Sequence, residues 1–241
     1  MVALQKNRVW EIDCLRGVAV CLMLISNFLF DLYYFYSLGN PESGFLAYFS
    51  RAVAGLFLFV VGVSLTLSVN KTTVLPSKKI WLRSAKLLVV AMGISLATYV
   101  AVGQDFVVFG ILHLISVSIV LGYFFLGCPW LSLIVGISVL SLAPYLGVAQ
   151  EGSWWLVWFG IPPVGFHSVD YTPLIPWFGP VLIGIFVGKM VYRQGETLFK
   201  GRGDRHGFIL KTLGLLGKNS LVIYCLHQPI LWGGFVAFGM L

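Results

Sequence analysis

Seven apolar stretches of this chain are each long enough, or nearly so, to cross a bilayer, and no other feature limits its fold as severely. Helical segments of about 20 residues cover a hydrocarbon core roughly 30 Å thick. The stretches run from Asp13 to Tyr36, Gly44 to Val69, Ile80 to Val102, Phe106 to Gly127, Pro129 to Leu146, Pro173 to Tyr192, and Lys218 to Phe238. The fifth is the shortest and contains Pro144. Composition agrees: 59% of the residues are hydrophobic and 10% charged, against roughly 25% charged in a soluble domain. The expectation is an all-α polytopic membrane bundle of about seven transmembrane helices, built as a single domain over residues 1–241 with the bilayer as its main solvent. The first stretch is too long for a signal-peptide core and reads as a retained helix.

Charge placement tests the count. Lys6 and Arg8 precede the first stretch; Lys71, Lys78, Lys79, Arg83 and Lys86 surround the second connection. Lys189, Arg193, Lys200, Arg202, Arg205, Lys211 and Lys218 flank or fill the sixth. With seven spans, all of these fall on one side or at the span ends that face it; the remaining two, Arg16 and Arg51, lie inside spans. The positive-inside rule then predicts a cytoplasmic N-terminus and an outside C-terminus. Glu42, Asp105, Glu151 and Asp170 fall outside, as does WWLVWFGIPP, within a segment at about 147–172 expected to lie in the outer interface. Residues at about 194–217 read as a polar cytoplasmic loop. The net charge of +7 is explained by topology, and no basic stripe with interleaved aromatics points to nucleic acid. Cys14, Cys21, Cys128 and Cys225 show no metal-ligand spacing, so free thiols and no metal are expected. An integral membrane protein is expected, with the plasma membrane as the expected location; a homo-oligomer is left open.

Ionisable groups inside a membrane are costly and normally face a bundle interior or a wet cavity. On the first span Asp13, Arg16, Asn27 and Asp31 fall within about 60° of one another at about 100° per residue, so they share one face. An Asp13–Arg16 salt bridge anchoring the helix is the plainer reading for those two. Arg51 lies inside the second span, where it needs a carboxylate, carbonyls or water, unless it reaches back to the surface. His113 lies in GILHLIS of the fourth span. His227 lies in SLVIYCLHQP of the seventh, with Ser220 and Tyr224 on the same face. A lone buried histidine is usually a packing residue; two of them, with Asn27 and Arg51, point to a shared polar site. Imidazole suits an intramembrane base because its ordinary pKa lies near neutrality. Gly184 and Gly188 form a small-xxx-small pair suited to helix packing. No P-loop, dinucleotide fingerprint or HExxH occurs.

RVWEIDCLRGVAVCLMLISNFLFDLYYF resembles the opening of heparan-α-glucosaminide N-acetyltransferase catalytic domains, and more loosely the transmembrane acyltransferases with an Asp-x-x-Arg-Gly signature on their first helix. LFLFVVGVSLTLS, GILHLIS, DYTPLIPWFGPVLIGIFVGK and GKNSLVIYCLHQPI extend the resemblance in order along most of the chain. It implies transfer of acetyl from cytoplasmic acetyl-CoA to an amino sugar across the membrane. Asp13, Arg16 and Asn27 match the first-helix pattern, His227 a histidine near the C-terminal end, and Asp170 an acidic residue ahead of the sixth span. The lysosomal member places its acetyl-transfer histidine in the loop after the first span. The corresponding stretch here, SLGNPESGF, has none, so His113 or His227 would have to replace it.

The leading expectation is therefore an acyltransferase moving an acyl group, acetyl first, from cytoplasmic acyl-CoA to an amine or hydroxyl of a glycan or lipid-linked acceptor. His227 or His113 would be the base, and Asn27 or Arg51 would meet the developing oxyanion. Asp13, Arg16, Asp31, Arg51, Asp170 and Tyr224 are the candidate substrate contacts. The alternative is a small-solute transporter using the same polar stripe, although no internal repeat is visible.

Overall fold

A computed structural model describes residues 9–36, 38–40, 43–70, 77–146, 152–192 and 207–239. Lys6, Arg8, Glu42, Lys71, Glu151, Arg193, Lys200, Arg202 and Arg205 lie outside the described residues. Among those described, every regular element is helical, and the protein is an all-α membrane bundle. In chain order the helices are α1 (Trp10–Phe35), α2 (Gly44–Asn70), α3 (Ser77–Val102), α4 (Ile111–Phe125), α5 (Pro129–Ser141), α6 (Ala143–Leu146), α7 (Leu174–Val191), α8 (Phe208–Lys218) and α9 (Ser220–Ala237). Short 3₁₀ turns occupy Gly103–Asp105 and Trp154–Phe159. Five helices, α1, α2, α3, α7 and α9, are long and apolar enough to cross a membrane, while α4 and the α5–α6 stretch are shorter. The fifth expected span is thus broken just ahead of Pro144, whose ring cannot continue the hydrogen-bond ladder.

The chain packs as two compact units: residues 1–57 with 195–241, and residues 58–194. In the first, α1 carries α8 and α9 on its surface. Gly17 of α1 lies so close to α8 that a Cβ there would meet the Leu213 carbonyl, and a Cβ on Gly217 would meet the Asp13 carbonyl. Only glycine lets the two backbones approach this far. The Cys14 thiol donates to the Leu210 carbonyl at 3.3 Å. This helix replaces the C-terminal part of the expected polar loop. In FILKTLGLLGK the small and apolar positions Leu213, Gly214 and Gly217 recur at helical spacing, which that expectation overlooked between the flanking lysines.

In the second unit, α7 is the central helix. Gly184 packs against the Phe59 carbonyl of α2, and Gly188 against Thr66, as the small-xxx-small pair predicts. Gly62 answers from α2, where a Cβ would meet the Val181 carbonyl. On another side of α7, Gly179 faces Gly136 and Leu140 of α5. Ser84 of α3 and Ser116 of α4 are both buried, and each hydroxyl donates to the other residue's carbonyl at 2.9 Å. Such reciprocal bonds join apolar helices where lipid offers no hydrophobic drive.

Candidate functional site

Helices α1 and α9 bring the polar residues of the first unit together. Asn27 Nδ2 lies 2.9 Å from His227 Nε2. Four residues further along α1, the Asp31 carboxylate accepts from Gln228 Nε2, at 3.0 Å to each oxygen. Further on, Phe35 packs against Trp232 and Phe235. The contacts advance in the same sense on both helices, so α1 and α9 run parallel. Asp31 is 5% exposed and His227 8%, which leaves the carboxylate with a neutral amide as its partner in an apolar setting.

The tautomer of His227 follows from its partners. Nδ1 lies 2.6 Å from the Tyr224 backbone carbonyl, and a carbonyl oxygen can only accept. The Nδ1 nitrogen therefore carries the proton. In the neutral ring Nε2 then holds a lone pair, which accepts the Asn27 amide N–H. Tyr224 contributes its main chain here, while its ring leans on the imidazole with centroids 5.4 Å apart.

Near the start of α1, Arg16 Nη1 pairs with Asp13 Oδ1 at 3.1 Å, one helical turn apart. Asp13 is buried, and its Oδ2 has no hydrogen-bond partner among the described residues. The plainer reading of this pair, a salt bridge within α1, is thus present. Arg51 is exposed, and its guanidinium carbon sits 6.0 Å from the centre of the Tyr48 ring.

His113 belongs to the second unit and has the opposite polarity. Its Nδ1 accepts the Gly110 backbone N–H at 3.3 Å, so in the neutral ring the proton sits on Nε2. That nitrogen is buried without a partner among the described residues, and the residue is 5% exposed. Asp170 closes the start of the same helix. Its Oδ2 accepts the Ile111 N–H at 3.2 Å, and its Oδ1 accepts the Thr172 hydroxyl at 2.9 Å. A carboxylate suits the positive end of a helix dipole. Nearby, the Thr172 N–H donates to the Phe109 carbonyl at 2.9 Å, and the Tyr171 hydroxyl donates to the Val157 carbonyl at 2.6 Å. These bonds tie the turn carrying the exposed Trp154, Trp155 and Trp158 to the start of α4.

The family model described as heparan-alpha-glucosaminide N-acetyltransferase, catalytic, matches residues 8–229. The chain belongs to this family. No curated protein and no solved structure gives a match. Membership in the heparan-alpha-glucosaminide N-acetyltransferase family makes the chain a membrane transferase of the acetyltransferase kind. Asn27 and His227, which the resemblance singled out near opposite ends of the matched stretch, are hydrogen-bonded to each other. Among the described residues, no group of three or more His, Cys, Asp or Glu could hold a metal ion.

Gln228 and Gly110 went unnoticed in the sequence. For Gln228 the signal existed: an amide in an apolar helix, next to a histidine, is as costly as Asn27. Gly110 had none, because its part is played by a backbone N–H.

Proposed function

We propose that this protein transfers an acyl group, with acetyl the donor its family implies, from cytoplasmic acyl-CoA to an amine or hydroxyl of a glycan or lipid-linked acceptor. The observation that carries this reading is the Asn27–His227 hydrogen bond. It supplies, at one place, a base with its lone pair directed and an N–H donor.

Arg16, with the exposed Lys211 and Lys218 of α8, would recruit the CoA phosphates at the N-terminal end of α1. Asn27 lies about 16 Å further along that helix than Arg16, at 1.5 Å per residue. An arriving acceptor N–H or O–H would displace the Asn27 amide from His227 Nε2 and take its place. The acceptor then gives its proton to Nε2 as its lone pair bonds to the thioester carbon. The freed Asn27 N–H donates to the carbonyl oxygen as that oxygen gains charge. When the oxyanion collapses, the C–S bond breaks and the CoA thiolate leaves, taking the proton from His227. Backbone bonding at Nδ1 keeps the ring oriented throughout.

His113 fits the role of base less well, because its one lone pair is held by the Gly110 backbone N–H, which cannot swing aside as the Asn27 side-chain amide can. Its other nitrogen, the buried Nε2–H, is a donor.

The test is label transfer from radiolabelled acetyl-CoA to a panel of amino sugars and envelope lipids, using purified protein in nanodiscs. Transfer that His227→Ala abolishes supports the reading. Solute flux into liposomes without any acyl donor, and no acyl-CoA turnover, would replace it with a transporter.

A further inference from the structure

The face of α9 that carries His227 does not end there. Tyr224, His227, Gln228, Leu231, Gly234, Phe235 and Phe238 all recur at helical spacing, so they line one face. Along it the chemistry changes from polar to wholly apolar. Beyond Gln228 that face and α1 border an open groove of about 360 Å³, lined by Phe28 and Leu32 from α1, by Ile230, Leu231, Gly234 and Phe235 from α9, and by Phe238 just past its end. Phe28 and Phe235 stack at 5.9 Å. From His227 to Phe238 the groove side of α9 extends about 16 Å at 1.5 Å per residue.

We infer that this groove receives the acyl chain of the donor thioester, and that the donor includes chains longer than acetyl. The inference rests on the acyl-transfer reading above. Three features lie in order along the α1–α9 pair: the cations at the N-terminal end of α1, the Asn27–His227 pair, and the groove. A thioester presents phosphates, reacting carbonyl and acyl tail in that same order. A carbonyl held at Asn27 therefore directs its tail into the groove. An acetyl group would leave that volume unused. Two residues tune its length. Among the described residues, no heavy atom lies within 4 Å of a Cβ added at Gly234, so this position keeps the groove open. Phe238 stands at its far end.

Gly233 has equally open surroundings but does not line the groove, which provides a matched control. Full-length protein in nanodiscs would be given acetyl-, butyryl-, octanoyl- and palmitoyl-CoA in turn, with transfer measured for wild type, Gly234→Leu, Gly233→Leu and Phe238→Ala. The expected result is octanoyl transfer by wild type at a rate comparable to acetyl. Gly234→Leu should lower the octanoyl-to-acetyl ratio by about tenfold or more, the scale on which apolar pockets discriminate chain length. Gly233→Leu should leave the ratio unchanged, and Phe238→Ala should extend the profile toward palmitoyl. Should Gly234→Leu lose acetyl transfer too, the Phe238→Ala profile decides. A wild type restricted to acetyl, or profiles identical in all four proteins, would mean that bilayer lipid alone fills the groove, with acyl transfer intact. Failure to use any acyl-CoA would overturn the transfer reading and this inference together.

Discussion

Asn27 of α1 and His227 of α9 are 200 residues apart in sequence and 2.9 Å apart in space. The bond fixes more than proximity. Because the Tyr224 carbonyl takes the Nδ1 proton, the Asn27 amide must meet a lone pair on Nε2. On the proposed acyl-transfer reading, the pair holds a base and an oxyanion donor against each other until a substrate separates them.

Removing the base should cost most. His227→Ala is expected to lower acetyl transfer by about a hundred- to ten-thousand-fold, the usual worth of a positioned general base. His113→Gln should cost far less than His227→Gln under the same assay, because glutamine can still accept the Gly110 N–H. Initial rates under saturating donor would show the difference.

Gly17→Ala should separate α8 from α1. The new methyl would fall on the Leu213 carbonyl, and backbone cannot give way as a flexible side chain can. Overpacking of this kind costs about 1–3 kcal/mol. The expected readout is a lower unfolding temperature in detergent, with Gly214→Ala, whose Cβ would be 3.8 Å from the Cys14 sulfur, showing much less effect.

Asp170→Ala should loosen the start of α4. It removes the acceptor for the Ile111 N–H and for the Thr172 hydroxyl, and loss of a helix cap costs about 0.5–2 kcal/mol. Amide hydrogen exchange at residues 110–114 would rise, while exchange in α9 should not change. Asp170→Asn keeps one acceptor oxygen and should restore part of the protection.

Burial pushes the Tyr171 hydroxyl up to about 12 from its ordinary 10.0. A raised folded-state value means that the protonated phenol is favoured by the fold. Its contribution is complete below the unfolded value near 10 and is lost as pH rises through about 12. Tyr171→Phe should therefore flatten the alkaline decline in thermal stability over that window. The phenolate absorbance of wild type should titrate later than that of the variant by one tyrosine.

The membrane architecture was legible because long apolar runs leave little else to form. Gly184 and Gly188 were legible as packing positions for the same reason: in lipid, small residues mark where backbones meet. The stripe on α1 was also readable, since a helix repeats its faces predictably. The partners of that stripe were harder. Periodicity places Asp31 on a face but cannot say that Gln228 will meet it. His113 and His227 looked equivalent in sequence, both lone imidazoles in apolar helices. What separates them is backbone: a carbonyl beside one Nδ1 and an N–H beside the other. Arg51 resembled Asn27 as a buried polar residue, but a long side chain can reach out over Tyr48 where an asparagine cannot. Helix α8 was missed because its glycine ridge sits among lysines that suggested a loop.

The central claim is that Asn27 and His227 act as one unit. A double-mutant cycle on kcat/KM for acetyl transfer, using Asn27→Ala, His227→Ala and the pair, tests it most directly. The account predicts that each single change removes most of the rate and that the double variant is little worse than His227→Ala alone. Effects that multiply independently, or an Asn27→Ala variant with unaltered kcat/KM, would contradict it.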